Sequence, residues 1–184
     1  EGVEFRSHLP KKSTELVRGV LVVGDPPGGL HGHLAAKLVF PLGRYVYATR
    51  AGMLFGQDTG FLIARDPDTV RAPDVGFDSE EKTVAVGAGY VPFAPDLAVE
   101  ILSAGDRAGA VLEKVAEWLR AGTRLVWVID PHRALAHVHR ADGTVDVRTP
   151  LGTACARPRN FFQARPVLPA ALVLGDLAFA GHDG

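Results

Sequence analysis

Residues 96–130 read DLAVEILSAGDRAGAVLEKVAEWLRAGTRLVWVID, and this stretch decides the fold. Leu97, Ala98, Val99, Ile101 and Leu102 make a short, nearly unbroken apolar run, the mark of a strand buried on both faces. A turn follows at residues 104–107. Apolar residues then recur at Val111, Val115 and Leu119 with helical spacing, and Gly122 marks the helix end. Asp106 is expected to cap the start of that helix. Residues 125–129 form a second apolar run. Strand, helix and strand of these lengths predict a parallel βαβ unit with a right-handed crossover.

Glu100 interrupts the first of these strands. A carboxylate in an apolar strand is costly unless it is paired or binds a metal. One reading is a structural glutamate, salt-bridged at a strand end; the other is a site residue. Arg107, Val111, Lys114 and Trp118 fall on one side of the helix at three- and four-residue spacing. Lys114 therefore sits beside apolar neighbours, either as a snorkelling lysine or as part of a site.

Upstream, residues 15–23 hold two apolar pieces about Arg18-Gly19, which predicts an N-terminal β-hairpin. The glycine-rich stretch at 24–29 lacks the Gly-Lys-Ser/Thr ending of a phosphate-binding loop. Residues 31–48 read as a helix with Leu34, Leu38, Leu42 and Tyr45 as its stripe and Pro41 as a weak point. His31 and His33, two apart, do not share a helical face, so a structural or hydrogen-bonding role suits them better than a metal pair. Residues 52–56 and 59–64 read as the two strands of a hairpin about Gln57-Asp58. Residues 66–73 read as a loop, and residues 74–78 as a short strand that Asp74 opens after Pro73. Asp74 is either a turn residue or an acid aimed at a site. Residues 79–95 read as a long connection.

A second hairpin is expected about residues 141–143. His137 and His139 share one strand face there, a solvated face more readily than a metal pair. The tail from Cys155 carries Arg157, Arg159, Phe161, Phe162 and Arg165. It ends with Leu172, Leu174, Leu177 and Phe179, read as a packing strand or a dimer contact.

The bulk numbers set wide bounds. The 184 residues suffice for one domain with a real core, and no repeat or linker divides them, so residues 1–184 are expected to form a single domain. The net charge of −1 gives no basic footprint of its own. Cys155 is the only cysteine, no signal peptide is visible and no apolar run approaches a membrane span. The expectation is a cytoplasmic protein without a membrane partner.

Asp74, Glu100 and Lys114 make the best chemical constellation. Converging carboxylates repel unless a cation sits between them. A hard divalent ion with oxygen ligands relieves this, and an ammonium nearby can orient water and offset charge on a phosphoryl group. These are parts for phosphodiester hydrolysis.

Pro73-Asp74 followed by Glu100 resembles the PD-(D/E)XK nuclease superfamily. More closely, the chain resembles the Uma-two family of bacterial proteins, a domain of unknown function often labelled a restriction endonuclease. The likeness rests on Glu15 before the Gly19 hairpin, His31 opening the next helix, and the run from Arg71 to Val75. It rests equally on the run from Pro95 to Ser103 and on the passage from Lys114 through Leu-Val-Trp-Val-Ile-Asp to Pro131. The resemblance implies an α/β (α+β) fold with a restriction-endonuclease-like core, a central mixed β-sheet flanked by helices. It implies a Mg- or Mn-dependent endonuclease acting on DNA, with Asp74 and Glu100 on the metal and Lys114 beside the attacking water. Glu15, His31 and Ser103 are supporting candidates, and Arg71, Arg107, Arg157 and Arg159 are candidates for DNA contact. Leu102 stands where the superfamily has its strand lysine, and the resemblance implies that Lys114 replaces it from the helix. The rival readings are a nuclease-like module that binds nucleic acid or protein without cutting, and a structural or homodimeric domain whose acids are merely paired.

Overall fold

The computed structural model describes residues 13–148. Ser13–Val17 (β1) and Val20–Gly24 (β2) form the expected hairpin. Arg18 and Gly19 turn it with φ of 49° and 77°. Two positive φ values in a two-residue loop match the twist of the flanking strands. Gly29–Thr49 (α1) then runs through Pro41 and buries Leu34, Leu38, Leu42 and Val46.

Gly52–Phe55 (β3), Phe61–Ala64 (β4), Thr69–Arg71 (β5) and Val75–Ser79 (β6) follow, then the single turn Glu80–Thr83 (α2). Leu97–Ile101 (β7), Ala108–Arg120 (α3) and Leu125–Asp130 (β8) are the βαβ unit, and β7 and β8 pair in parallel. Leu135–Arg140 (β9) and Val145–Arg148 (β10) close the described chain as the expected second hairpin.

The large sheet has six strands in the order β10-β9-β8-β7-β6-β3, and a smaller one has the order β2-β1-β5-β4. Only β7–β8 is parallel among the pairings of the large sheet, so it is mixed, as expected. Alternation along β7 and β8 gives the sheet its two faces. Leu97, Val99, Ile101, Leu125, Trp127 and Ile129 join the core under α1. Ala98, Val126 and Val128 join the core under α3, with Val115, Trp118 and Phe61. Both faces of β7 are covered, which is why all its residues are buried.

Three expectations need correction. Residues 52–56 and 59–64 are not strands of one hairpin: β3 pairs with β6 in the large sheet, whereas β4 pairs with β5 in the small one. The turn at Gln57-Asp58 carries the chain between sheets, and Phe55 and Phe61 pack edge-on across it at 5.3 Å. Residues 66–73 are not all loop, because Thr69–Arg71 is β5, too short for its periodicity to register but paired with both β1 and β4. Asp106 does not cap α3. Arg107 occupies that position, and the Asp106 carboxylate instead accepts the Ser103 N–H at 2.7 Å.

The connection at 79–95 contains α2 and a parallel bridge from Val91 to Phe61. The tail features, Arg157 and Arg159 lie outside the described residues. Among the described residues no helix is long and apolar enough to cross a membrane.

Candidate active site

The period of β7 aims Glu100 at α3. It shares that face with Ala98, and α3 lies over it with Lys114 and Trp118 one turn apart. Lys114 Nζ donates to Glu100 Oε2 at 2.8 Å, and Trp118 Nε1 donates to Oε1 at 2.8 Å. Both carboxylate oxygens are thus fixed from the helix. Lys114 does not snorkel: its ammonium also lies 3.2 Å from Glu15 Oε1, between two carboxylates.

Asp74 stands just before β6 and is pinned to the end of β7. It donates its N–H to the Val99 carbonyl at 2.9 Å, and its Oδ2 accepts the Ile101 N–H at 2.7 Å. His31, on the first turn of α1, brings Nε2 to 3.1 Å from the same oxygen. Gln57 donates to Asp74 Oδ1 at 3.3 Å and lies 3.3 Å from His31 Nδ1. These contacts link Glu15, Lys114 and Glu100, and place Asp74 with His31 beside them at the end of β7.

Arg71, 11% exposed, is held by two carboxylates. Nη1 donates to Glu15 Oε2 at 2.7 Å, while Nε (2.8 Å) and Nη2 both donate to Glu117 Oε2. The neighbouring Ala72 N–H goes to Glu15 Oε1 at 2.9 Å. Glu15 and Glu117 thereby tie β1, β5 and α3 together around Lys114. Arg107 is exposed at the start of α3, and Ser103 uses its N–H in the turn with Asp106. His137 and His139 stack at 6.3 Å on β9, away from this cluster in sequence and sheet position.

The electrostatics follow from burial and crowding. Burial pushes the Glu100 carboxyl up to about 7, against the pull of Lys114 and with the added push of the Asp74 charge. Burial disfavours the Lys114 ammonium, but Glu100 and Glu15 outweigh it and raise its pKa, so Lys114 stays charged. Burial also opposes the Glu15 charge, but Lys114, the Ala72 N–H and Arg71 hold its carboxyl below the usual range. The hydrogen bond to Asp74 lifts His31 above the ordinary imidazole value.

Among the described residues no group of three or more His, Cys, Asp or Glu side chains is arranged to hold a metal. The oxygens of Asp74 and Glu100 are nonetheless hard donors on adjoining strand ends. Sequence reading missed the roles of Trp118 and Glu117. The spacing of Trp118 from Lys114 could have revealed the first; nothing local signals the second.

The fold is that of restriction-endonuclease-like proteins, with paired acids and a lysine at one end of a mixed sheet. Residues 3–173 match the Uma2 family, described as "Putative restriction endonuclease", and the chain belongs to that family. The crystal structure of a "putative nuclease belonging to DUF820" from Anabaena variabilis superposes with a TM-score of 0.69 at 21% identity, over 91% of this chain and 94% of that one. That likeness shows a shared fold. No curated protein matches the sequence.

Proposed function

We propose that this chain is a metal-dependent endonuclease that hydrolyses DNA phosphodiester bonds. Asp74 and Glu100 hold a magnesium or manganese ion, and Lys114 assists the attacking water. The observation that carries this reading is convergence. Lys114 reaches Glu100 from another element at 2.8 Å, and Asp74 is bonded to the N–H of the residue after Glu100. The family's description as a restriction endonuclease supports DNA as the substrate.

The residues fit such an ion. Glu15 and Glu100 share the ammonium of Lys114, and the nearby Asp74 charge adds to burial in raising the Glu100 carboxyl to about 7. A cation would relieve that crowding. Magnesium is commonly held by one or two carboxylates with water and substrate oxygens completing its shell. When bound, the ion supplies positive charge where the phosphoryl group becomes more negative.

The chain's own residues do the rest. Lys114, kept as an ammonium by Glu15 and Glu100, acts as a donor and a fixed positive charge rather than as a base. It can orient the water or stabilise a phosphoryl oxygen. Trp118 fixes the Glu100 carboxylate, and His31 with Gln57 fixes Asp74 from its other side.

A second reading, a nuclease-like module that binds without cutting, draws on one observation: each Glu100 oxygen already accepts a donor. Plasmid nicking separates the two. With Mg²⁺ or Mn²⁺ the purified chain should nick supercoiled DNA, and chelator should stop it. Asp74→Ala and Glu100→Ala should each lower the rate by at least about 100-fold, as loss of transition-state charge stabilisation does. No nicking in either metal, with no heat of metal binding, would count against the enzyme and favour the binding module.

A further inference from the structure

With Arg71 held by Glu15 and Glu117, the nuclease reading calls for a further surface for its substrate, and α1 carries one. Its 21 residues, GLHGHLAAKLVFPLGRYVYAT, include no Asp or Glu, and Arg50 follows as its C-cap. His33, Lys37, Phe40, Arg44 and Tyr47 recur every three or four residues, so they share a face. That face lies away from the buried Leu34, Leu38 and Leu42. Phe40 is 69% exposed and Tyr47 90%. A shallow, open recess there is lined by His33, Ala36, Lys37, Phe40, Pro41 and Arg44, all from α1. Against a net charge of −1 for the whole chain, this face carries Lys37 and Arg44 and no acid of its own helix.

We propose that the outward face of α1 is a track for an unpaired DNA strand. Lys37 and Arg44 neutralise phosphates, and Phe40 and Tyr47 stack on bases. The proposal rests on the nuclease reading of the Asp74–Glu100 site. The geometry suits a strand in two respects. From His33 to Tyr47 the axial rise is about 21 Å, roughly six phosphate spacings of one strand. The two rings are two turns apart, about 10 Å, so they meet different bases. His31, which meets Asp74, lies on the opposite, buried side of the same helix, so the track runs over the back of the element that carries His31 to the site. Stacking on exposed rings requires bases with a free face, which a duplex lacks. A second copy of the chain suits the face less well, because an acid-free helix meeting its equal would set lysine and arginine against each other.

The test is fluorescence anisotropy with the full chain in chelator, using labelled 12-nucleotide oligo-dT, oligo-rU and a duplex of that length. Oligo-dT should bind more tightly than the duplex. Lys37→Gln with Arg44→Gln should weaken oligo-dT binding at least ten-fold at low salt. It should also flatten the slope of log affinity against log salt by about 1.4, two phosphates' worth for a single strand. Phe40→Ala with Tyr47→Ala should cost about ten-fold per ring and leave the slope unchanged. Unchanged affinity in both double variants would overturn the track. So would a preference for the duplex or for oligo-rU, or a wild-type dimer that the variants dissolve. Chelator separates binding from cutting. A chain that binds as described but nicks no plasmid sinks the catalytic reading alone. A chain that nicks plasmid while both double variants bind like the wild type sinks the track alone.

Discussion

Asp78 carries the clearest residue-scale consequence. It lies at the far end of the β6–β7 pair from Asp74, with a side chain of 0% exposure. Oδ1 accepts the Asp96 N–H at 3.1 Å and lies 3.5 Å from Lys82 Nζ, while Oδ2 has no hydrogen-bond partner among the described residues. Lys82 is closer to Asp96, at 2.9 Å. Burial therefore dominates at Asp78 and raises its pKa from 3.8 to about 6, despite Lys82. The folded chain holds a proton there after the unfolded chain has released it. Stability from this group is full below about pH 4 and is lost as pH rises through about 6. Asp96 is shifted the other way, by Lys82 and the Ser79 N–H against burial, so its contribution changes only at lower pH. Thermal melts should show Asp78→Asn gaining on the wild type between pH 4 and pH 7 (about 3.9 being the unfolded reference). A difference that stays constant across that range would assign the cluster a fixed charge state. The same physics made Glu100 legible from sequence: a charge inside an apolar strand must have partners. Lys114 was legible as a candidate partner, whereas the Trp118 bond was not read although Trp118 shares its helix face. The ion pairs of Arg71 were not legible because its carboxylates lie 46 and 56 residues away in the chain.

Among elements, β3 depends on one close approach. Gly52 has φ of 152°, and a Cβ built there would stand 1.9 Å from the Asp78 carbonyl oxygen and 2.8 Å from Ser79 backbone atoms. Those atoms belong to the β3–β6 ladder, where Gly52 faces Ser79, so they cannot yield without breaking the pairing. Gly52→Ala should cost at least about 3 kcal/mol, on the scale of severe backbone strain. Gly43, in α1, has nothing within 4 Å of its would-be Cβ. Gly43→Ala should instead stabilise by about 0.5–1 kcal/mol, as alanine does in a helix. Denaturant melts of the two variants give the comparison, and equal effects would mean the strand tolerates a shift there. The βαβ unit, both hairpins and α1 were readable because each has its own period or turn chemistry. The split into two sheets was not. A turn such as Gln57-Asp58 looks the same whether it joins paired strands or passes the chain between sheets, and here long-range contacts decide. Gly76 is one: a Cβ there would meet the Phe61 ring at 2.9 Å.

At the scale of the molecule, the candidate site is an assembly rather than a motif. Its acids come from β7 and from the residue before β6, its ammonium from α3, its imidazole from α1, and a further carboxylate from β1. The Glu15 contacts give the hairpin a meaning beyond its place in the small sheet. Glu15 meets Lys114, Arg71 and the Ala72 N–H at once, and Arg71 passes the link on to Glu117. These groups form one interlocking unit, so they should be exchangeable between relatives only together. A chimera that takes its hairpin from a relative lacking the glutamate should leave Arg71 and Lys114 each short of a carboxylate. It should melt several degrees lower, since removing one member of a buried ion pair costs about 3–5 kcal/mol. Transplanting the relative's counterparts of Arg71, Lys114 and Glu117 with the hairpin should restore the melting point. Inheritance would then have kept these four positions in step, however far the rest of the surface has drifted.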